Sequence, residues 1–504
     1  MKTTKILVVV SALVAFGVGC LGSTKSLCEY ADGKACQDLD AGLDGSVPDG
    51  SVPDGTIPEA GPDAEPPPKD CLTPTDPTKN PEKCLVDAFG AFVSVTGDDA
   101  NDGSKAKPYK TLGRALQGVR TRIVVCEGEY AGSVDVTRAV EVYGGVSCDF
   151  TKAGAKAKVV ATKPAYGIKV EKVTGAVVLA DLDVVGMNGA APSESSVGVF
   201  VSESANVKLL RSRVEAGDGA DAPAARDGSY SYPADALLKG ANADDKGTGS
   251  FSDDTPGAGG ASGTCPGGGT TAGGIGGVPG GQGNDANPRP PGGAKGPIGD
   301  CTTQGAGLPG TPGTPGMDRA GATPVATLAS TGLTGNKGQD GTPGSIGGGG
   351  GGGYGTEGAG GGGGAGGCGG QGGFGGAAGG SSIAVVSFSS TVALEATELI
   401  AKTAKPGGAG GKGQVGQAGG FRGTGSGNAC NGGAGAKGGD GGGGGGGAGG
   451  IAAGIAWAGG KEPTKDAASK ITRPTGAAPA GGEGGAGATN KGVDGVHADV
   501  LEVK

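Results

Sequence analysis

The sequence predicts an all-β fold of stacked parallel rungs, and three observations predict it. Aromatic residues make up only 4% of the 504 residues and glycine contributes 119, so large apolar side chains are too few for one ordinary globular core. Short Val-rich segments with alternating apolar and polar residues begin at Phe89. Three of these segments share the pattern Val-x-Leu-x-x-x-x-(Val/Leu), and internal repeats are typical of folds whose units are too small to be stable alone.

The repeat also predicts a bend within each rung. Its three copies are Val177/Leu179/Val184, Val207/Leu209/Val214 and Val392/Leu394/Leu399. Positions two apart face the same side of a strand, but the five-residue step reverses that parity, so the chain must turn between them. If the second and third copies are successive rungs, Gly217 and Ser381 must lie close together.

A family resemblance appears at the start of this region. The run Gly97-Asp-Asp-x-x-Asp-Gly-Ser104 is followed by Pro108, Lys110-Thr111 and Ala115-Leu116. It resembles the opening of secreted right-handed parallel β-helix proteins of the pectin-lyase-like type. The resemblance implies that the Asp-rich turn and a short amphipathic helix cap the solenoid. It further implies that Ile123–Tyr130 and Val140–Gly145 are its first rungs.

The N-terminus predicts export. Two lysines within the first five residues precede a short apolar run, Ile6–Val18, which is typical of a secretory signal peptide (1–19) and too short to cross a bilayer. The sequence Gly17-Val-Gly-Cys20 resembles the lipobox of bacterial lipoproteins, which implies that Cys20 is lipidated and that Leu21 directs the protein to the outer membrane. Gly17 replaces the leucine usual in that family, so ordinary cleavage that discards Cys20 is the alternative.

The cysteines predict disulfides in an exported chain. The sequence has 11 Cys, and a lipidated Cys20 leaves ten. Proximity alone favours the pairs Cys28 with Cys36, Cys71 with Cys84, Cys126 with Cys148, Cys265 with Cys301, and Cys368 with Cys430. With one histidine and no Cys-x-x-Cys, we expect neither a metal site nor a cofactor.

Composition divides the chain further. We expect a signal peptide at 1–19, a spacer at 20–85 and a first part of the β-helix at 86–217. A glycine-rich insertion at 218–380 precedes a returning rung at 381–402. A second glycine-rich segment at 403–450 then leads to C-terminal rungs with a closing strand at 451–504. The spacer repeats Gly-Ser-Val-Pro-Asp and carries eleven acidic residues against two lysines between Glu29 and Asp70, which predicts an extended, disordered stalk or linker.

The glycine-rich segments allow two interpretations. They include unbroken runs at Gly347–Gly353 and Gly441–Gly447. One interpretation is disordered loops, and the other is a bundle of left-handed polyglycine helices whose backbones approach closely because no Cβ intervenes. The entropy that glycine loses on ordering favours disordered loops.

Charged residues of the repeat are the first candidates for chemistry. Alignment of the copies stacks Asp181 over Arg211 and Asp183 over Arg213, with Glu398 in the next copy. Polysaccharide lyases of the resembling family place acids and an arginine on one face, so a catalytic site is one interpretation. Alternating signs favour the other, a structural ladder of salt bridges.

Three further candidates have structural interpretations. The cluster Asp98, Asp99, Asn101 and Asp102 has the chemistry of a calcium site, but its spacing does not match an EF-type loop, which favours a capping turn. His497 is predicted to lie on a closing strand, 496–503. Trp457, among small apolar neighbours, is predicted to pack within a rung rather than to stack on a sugar.

The charge balance excludes one class of partner. Loss of Lys2 and Lys5 with the signal leaves 39 basic against 50 acidic residues, a net charge of −11, which argues against nucleic acid. The sequence thus favours a lipid-anchored surface protein with a structural or adhesive role, in contact with polysaccharide or extracellular matrix. The alternative, a carbohydrate-active lyase or hydrolase, comes from the family resemblance alone.

Overall fold

The computed structural model describes residues 71, 76–247, 251–289, 291–302 and 304–504. The described residues belong to one of the chain's two compact units, Ala64–Lys504. The predicted signal peptide, the lipidation candidate Cys20, the pair Cys28 and Cys36, and the spacer up to residue 70 lie outside the described residues.

Among the described residues, nineteen strands, numbered in chain order, form three parallel sheets. Sheet A contains β1 (Ala91–Val93), β2 (Arg122–Cys126), β5 (Val140–Val146), β8 (Ala176–Ala180), β11 (Asn206–Leu210), β16 (Val392–Glu395) and β19 (Thr464–Lys465). Sheet B contains β3 (Gly128–Ala131), β6 (Ala157–Val160), β9 (Leu182–Val185), β12 (Arg213–Glu215), β17 (Glu398–Ile400) and β20 (Lys470–Thr472). Sheet C contains β4 (Val134–Val136), β7 (Ile168–Glu171), β10 (Ser196–Ser202), β15 (Ser382–Phe388), β18 (Ile451–Ala458) and β21 (Val496–Glu502). An antiparallel hairpin adds β13 (Ala326–Ala329) and β14 (Gly332–Gly335).

The order of the strands makes the fold β-helix-like. From β2 onward the chain visits sheet A, then sheet B, then sheet C, and each return to sheet A pairs in parallel with the previous visit. Six such coils form what we call the stack. Its interior is filled by Val, Leu and Ile side chains from all three sheets, which form one continuous apolar cluster.

In the part of the chain that the structure describes, helices are few and short. They are α1 (Pro81–Cys84), α2 (Leu112–Gln117) and α3 (Asp235–Leu238), with 3-10 turns at Pro77–Lys79, Phe251–Asp253 and Ala488–Asn490. Helix α2 buries Leu112, Ala115 and Leu116, which share one helical face, and joins the core cluster at the first coil. It is the amphipathic capping helix that the sequence predicts.

The predicted repeat copies lie in register as adjacent coils. Val207, Leu209 and Val214 of the second copy each lie between their equivalents in the first and third copies. All nine repeat side chains are at most 2% exposed. The repeat alignment is therefore confirmed, and so is the closeness of the chain ends at the insertion, because Ser196 accepts a hydrogen bond from Gly217 N and donates its own N–H to Ser381 O.

The predicted bend occurs where sheet A turns into sheet B. Asp181, Arg211 and Ala396 occupy equivalent corner positions with φ of 54°, 48° and 48°. One left-handed residue turns the chain sharply from sheet A into sheet B, so the repeat side chain that follows the turn points inward again. At the corner from sheet C to sheet A, Lys172, Glu203 and Ser389 likewise have positive φ angles.

Buried hydroxyls connect neighbouring coils at these two corners. Ser212 Oγ accepts from Leu182 N at 3.2 Å and lies 3.1 Å from Leu179 O. Ser204 Oγ accepts from Val173 N at 3.1 Å. These bonds satisfy N–H groups at the corners, where the backbone does not pair with a neighbouring strand. The hydroxyls therefore hold successive coils in register.

We expect Ser212→Ala to lower the free energy of unfolding by about 1 to 3 kcal/mol, because Leu182 N would remain buried without a partner. Urea unfolding followed by circular dichroism measures the change. Ser229→Ala, at an exposed serine, is the control and should change stability by less than about 0.5 kcal/mol. Equal stabilities of the two variants would contradict a structural role for the corner hydroxyls.

The long excursions all leave the stack at the corner between sheet B and sheet C. In the third coil the connection spans 186–195, and in the next three coils it spans 216–381, 401–450 and 473–495. The last of these lies within the segment for which the sequence predicts only rungs and a closing strand. One corner of the stack therefore carries nearly all of the glycine-rich chain.

The expectation of disordered loops is wrong for the described glycine-rich residues. They pair by backbone hydrogen bonds at every third residue. The N–H groups of Gly341, Gly344, Gly347 and Gly350, for example, donate to the carbonyl oxygens of Gly373, Gly370, Gly367 and Gly364, respectively. A three-residue period is that of the polyproline II helix, which has no internal hydrogen bonds and leaves its backbone groups free for neighbours. The described parts of 218–322, 336–380, 403–450 and 478–495 thus form one structure, which we call the bundle.

Backbone contact explains why the bundle needs glycine. Gly347–Gly353 is buried, and a Cβ on Gly350 would collide with the carbonyl oxygen of Gly433 in the neighbouring segment. Gly364 and Gly445 meet other carbonyl groups in the same way. The hydrogen bonds offset the entropy cost that favoured disorder in the sequence interpretation.

Two disulfides fasten this bundle with pairings that proximity does not predict. Cys71 pairs with Cys84 and Cys126 with Cys148, as proximity predicts. The other two expected pairs are wrong, because Cys265 pairs with Cys368 and Cys301 with Cys430. The packing of distant glycine-rich segments brings these thiols together over separations of 103 and 129 residues.

The folded region begins before the predicted spacer ends. Leu85 is fully buried with Phe92 and Phe150, whose rings pack edge to face at 4.7 Å. The disulfide to Cys71 holds the preceding turn near this cluster. Residues 76–85 are thus part of the structure rather than of an extended spacer.

Candidate functional site on sheet B

A column of charged residues follows the outer face of sheet B through all six of its strands. The members pair in register from one strand to the next and alternate in sign. They are Glu129, Lys158, Asp183, Arg213, Glu398 and Lys470. Side chains two residues apart on a strand share a face, which places this column outside because the intervening residues fill the core.

Arg213 is the centre of this column. Its Nη1 lies 2.9 Å from Asp183 Oδ1, its Nε lies 3.8 Å from Glu398 Oε2, and its Nη2 contacts Glu215. Burial acts to lower the pKa of Arg213, but the hydrogen bonds to Asp183 and Glu215 raise it overall. Burial likewise acts to raise the pKa of Glu215, yet Lys402 and Arg213 bring it below its usual value.

A second pair lies at the corner beside the column. Arg211 Nε donates to Asp181 Oδ1 at 2.9 Å, and its guanidinium also lies 3.9 Å from Asp76. The hydrogen bond to Asp181 raises the pKa of Arg211. Both predicted stacked pairs, and the approach of Glu398, are therefore found in the structure.

The arrangement favours a structural role over catalysis. A general acid or base must be free to exchange a proton with a substrate, whereas Asp183, Glu215 and Asp181 are held by guanidinium groups. Within the described ranges, no group of three His, Cys, Asp or Glu side chains could hold a metal ion. The column can resist strand slippage because a shift by one residue would separate every pair.

We expect Arg213→Met to lower the free energy of unfolding by about 2 kcal/mol at pH 7, because it leaves three carboxylates without their shared cation. Because the pKa of Glu215 is lowered in the folded state, this carboxylate stabilises the fold at pH values above its ordinary pKa. That stabilisation is lost as the pH falls through the folded-state pKa. The difference between variant and parent should therefore shrink near pH 3. Denaturant unfolding across pH tests this.

Lys158→Met is the matched control for that experiment. Its pair with Glu129 lies in the same column but is more exposed, with side chains 42% and 60% accessible. An exposed pair contributes less than about 1 kcal/mol. A pH-independent effect of Arg213→Met would contradict the electrostatic explanation.

The Asp-rich turn fixes the start of the capping helix α2. Asp99 accepts hydrogen bonds from Lys110 N, Thr111 N and Thr111 Oγ1 at 2.8 to 2.9 Å. Its slight burial acts to raise its pKa, but the bonds from Thr111 and Lys110 lower it. Thr111 in turn caps α2 by accepting from Arg114 N. These contacts agree with the capping turn that the sequence favours.

The two remaining candidates lie on strands of sheet C. His497 belongs to β21, and its Nδ1 lies 3.2 Å from Gly476 O. Trp457 belongs to β18, is half-buried, and pairs in register with Ser387 and Glu502. Neither lies beside the charged column on sheet B, in agreement with their strand interpretation.

Sequence reasoning missed half of the charged column. Glu129, Lys158 and Lys470 lie in coils whose sequences do not match the Val-x-Leu repeat, so alignment of the copies could not place them. The alternation of apolar and charged residues in β6, and the apolar Tyr130 beside Glu129 in β3, were the available signals.

Comparison with known proteins adds one partial match. Residues 95–177 match a family model described as "Protein of unknown function (DUF1565)". This match, together with the parallel sheets, supports a β-helix-like fold. Neither a curated protein nor a solved structure matches the chain.

Two general features bear on where the protein works. Four disulfides fit an exported protein, because thiols are kept reduced in the cytosol. In the described part of the chain, no helix is long and apolar enough to span a membrane.

Proposed function

We propose that this chain is a non-enzymatic, lipid-anchored cell-surface protein of the outer membrane, with a structural or adhesive role in contact with glycans. In this proposal a right-handed parallel β-helix carries the bundle away from the membrane. The right-handed sense of the coil is supported by the strong preference of parallel crossover connections for right-handedness.

The observation that carries the proposal is the placement of the bundle. Three successive coils send their excursions from one corner, and these interlock by backbone hydrogen bonds into a single body. Its surface exposes large apolar side chains, among them Met317 (65%), Val415 (64%) and Phe421 (79%). A single body carried at one corner of the stack is placed to contact another surface.

A glycan array and a lyase screen of the mature chain test the proposed contact. The expected result is retention of one or more glycans without new reducing ends or unsaturated products, because the acids of the sheet B column are paired. A calcium-dependent cleavage of an acidic glycan that disappears in Asp183→Ala would favour the enzymatic alternative instead.

The proposed anchor has its own test. We expect Cys20→Ser to release the protein from the membrane fraction, because the thiol that would be acylated is gone. Metabolic labelling with a palmitate analogue measures the lipid directly. Retention of the variant in the membrane fraction, with no change in labelling, would contradict lipidation at Cys20.

A further inference from the structure

A cleft lies where three parts of the molecule meet. They are the outer face of sheet C, the hairpin β13–β14, and the edge of the bundle near 377–378. Its volume is about 520 Å³, which is within the range of small-molecule sites.

The floor and one wall of the cleft are apolar. The hairpin packs on the outer face of sheet C and joins Val197, Phe200 and Val386 in a second apolar cluster. Leu333 of the hairpin and Tyr166, both partly buried against this cluster, also line the cleft. A ligand with a flat apolar face would bury that face here without disturbing either element.

One of the residues that line this cleft has a hydroxyl without a partner. Ser193 Oγ is buried and makes no hydrogen bond with any of the residues that the structure describes. Its backbone has φ of 66°, a region that serine seldom adopts. Such a group costs stability unless something outside the chain satisfies it, and strained residues cluster at binding sites.

The neighbouring polar groups are already engaged. Glu194 Oε2 accepts from Ala190 N and Ala191 N at 2.9 and 2.8 Å, and Ser195 Oγ accepts from Ser381 N at 3.0 Å. Ser193 therefore differs from its two neighbours in that its side chain makes no hydrogen bond with the residues that the structure describes.

The cleft is close to neutral overall. Glu194 and Lys337 contribute one charge of each sign, and the ammonium of Lys337 lies 3.8 Å from Asp340. Burial, followed by the nearby Asp135, raises the pKa of Tyr166 to about 12, so its phenol is uncharged at neutral pH. Thr331 and Thr334 add two uncharged polar residues to the lining. Lys337, the cation among the lining residues, is opposed by Asp340 and Glu194, so the cleft does not favour a phosphate or carboxylate group.

We propose that this cleft binds a sugar ring of a neutral glycan, with the apolar face of the ring against Leu333 and Tyr166 and a hydroxyl bonded to Ser193. The inference rests on the proposed glycan contact and gives it a place and a ligand class. A pyranose ring combines an apolar C–H face with peripheral hydroxyls, which matches an apolar floor with neutral hydroxyls at its edge.

The test is calorimetric titration of the mature chain, carrying Cys20→Ser to keep it in solution, with cellotriose, maltotriose and chitotriose. Trigalacturonate serves as the acidic comparison. We expect at least one neutral trisaccharide to bind. Ser193→Ala should weaken its binding about tenfold, which is the loss of one hydrogen bond.

Two further variants make the result specific. Ala165→Trp fills the cleft from an exposed turn and should abolish binding. Thr356→Ala removes the other buried serine or threonine hydroxyl that lacks a partner among the described residues, but outside the cleft, and should leave binding unchanged. Thermal melting should show that Ser193→Ala is at least as stable as the parent, since no existing bond is lost and an unsatisfied buried hydroxyl is removed.

The outcomes separate this inference from the proposed function. Binding of a neutral trisaccharide that neither Ser193→Ala nor Ala165→Trp alters would overturn the cleft and leave the glycan contact standing. Preference for trigalacturonate would overturn the neutral ligand class. No binding of any glycan by the parent chain, here and on the array, would overturn both.

Discussion

Gly350→Val is expected to prevent the bundle from forming while the stack stays folded. Gly350 N donates to Gly364 O, and a side chain at this position would collide with the carbonyl oxygen of Gly433. The surrounding segments are themselves fixed by hydrogen bonds, so they cannot move aside individually. We expect a loss of more than about 3 kcal/mol for the bundle, above the usual cost of overpacking, because the side chain would meet backbone rather than a movable side chain.

Hydrogen exchange with mass spectrometry measures this effect by region. Amides of 336–380 and 403–450 should lose protection, whereas those of β8 and β11 should keep it. Gly476→Ala is the matched control, because a Cβ there meets nothing within 4 Å. Full protection of the bundle in the Gly350→Val variant would show that its segments do not pack as described.

The stack could be predicted because its determinants are local in sequence. Val207 and Leu209 alternate with polar residues, and the parity change before Val214 required a bend, which the structure places at Arg211. In parallel strands that stack in register, equivalent repeat positions become neighbours, so the contact of Asp183 with Arg213 followed directly.

The bundle could not be predicted to the same depth because glycine carries no side-chain pattern. Its order depends on hydrogen bonds between segments far apart in sequence, such as Gly367 to Ala436. The same distance explains the wrong disulfide pairs, since Cys265 meets Cys368 only after the segments have packed. The cleft depends in turn on where the hairpin lies, which no local pattern reveals.

The two bodies are stabilised by different interactions. The stack buries a continuous apolar cluster, whereas the bundle interior is mostly backbone, held by hydrogen bonds and by the disulfides of Cys368 and Cys430. Bundle residues such as Gly445 have no side chain to contribute apolar area, so the stack has no need of the bundle for its own core. Within the insertion at 218–380, the hairpin β13–β14 does bury apolar area against the stack, because it covers Phe200 and Ile383 on sheet C.

Deletion of 219–380, closed by a short Gly-Ser linker, is therefore expected to preserve the stack. The ends are already adjacent through Ser196, and loop closure costs only about 0.6 kcal/mol per doubling of loop length, which is how the fold accommodates so long an insertion. Cys430 must be changed to Ser, because the deletion removes its partner Cys301.

Circular dichroism, melting and hydrogen exchange of the deleted chain would be compared with the parent. The β signal and a cooperative transition should persist, while 403–450 loses protection because its partners in 336–380 are gone. Binding of a fluorescent apolar dye should increase, since removal of the hairpin uncovers Phe200 and Ile383. Leu209→Asp in the full-length chain should instead abolish the β signal, because it places a charge in the core. Loss of the β signal in the deleted chain would show that the stack requires the bundle to fold.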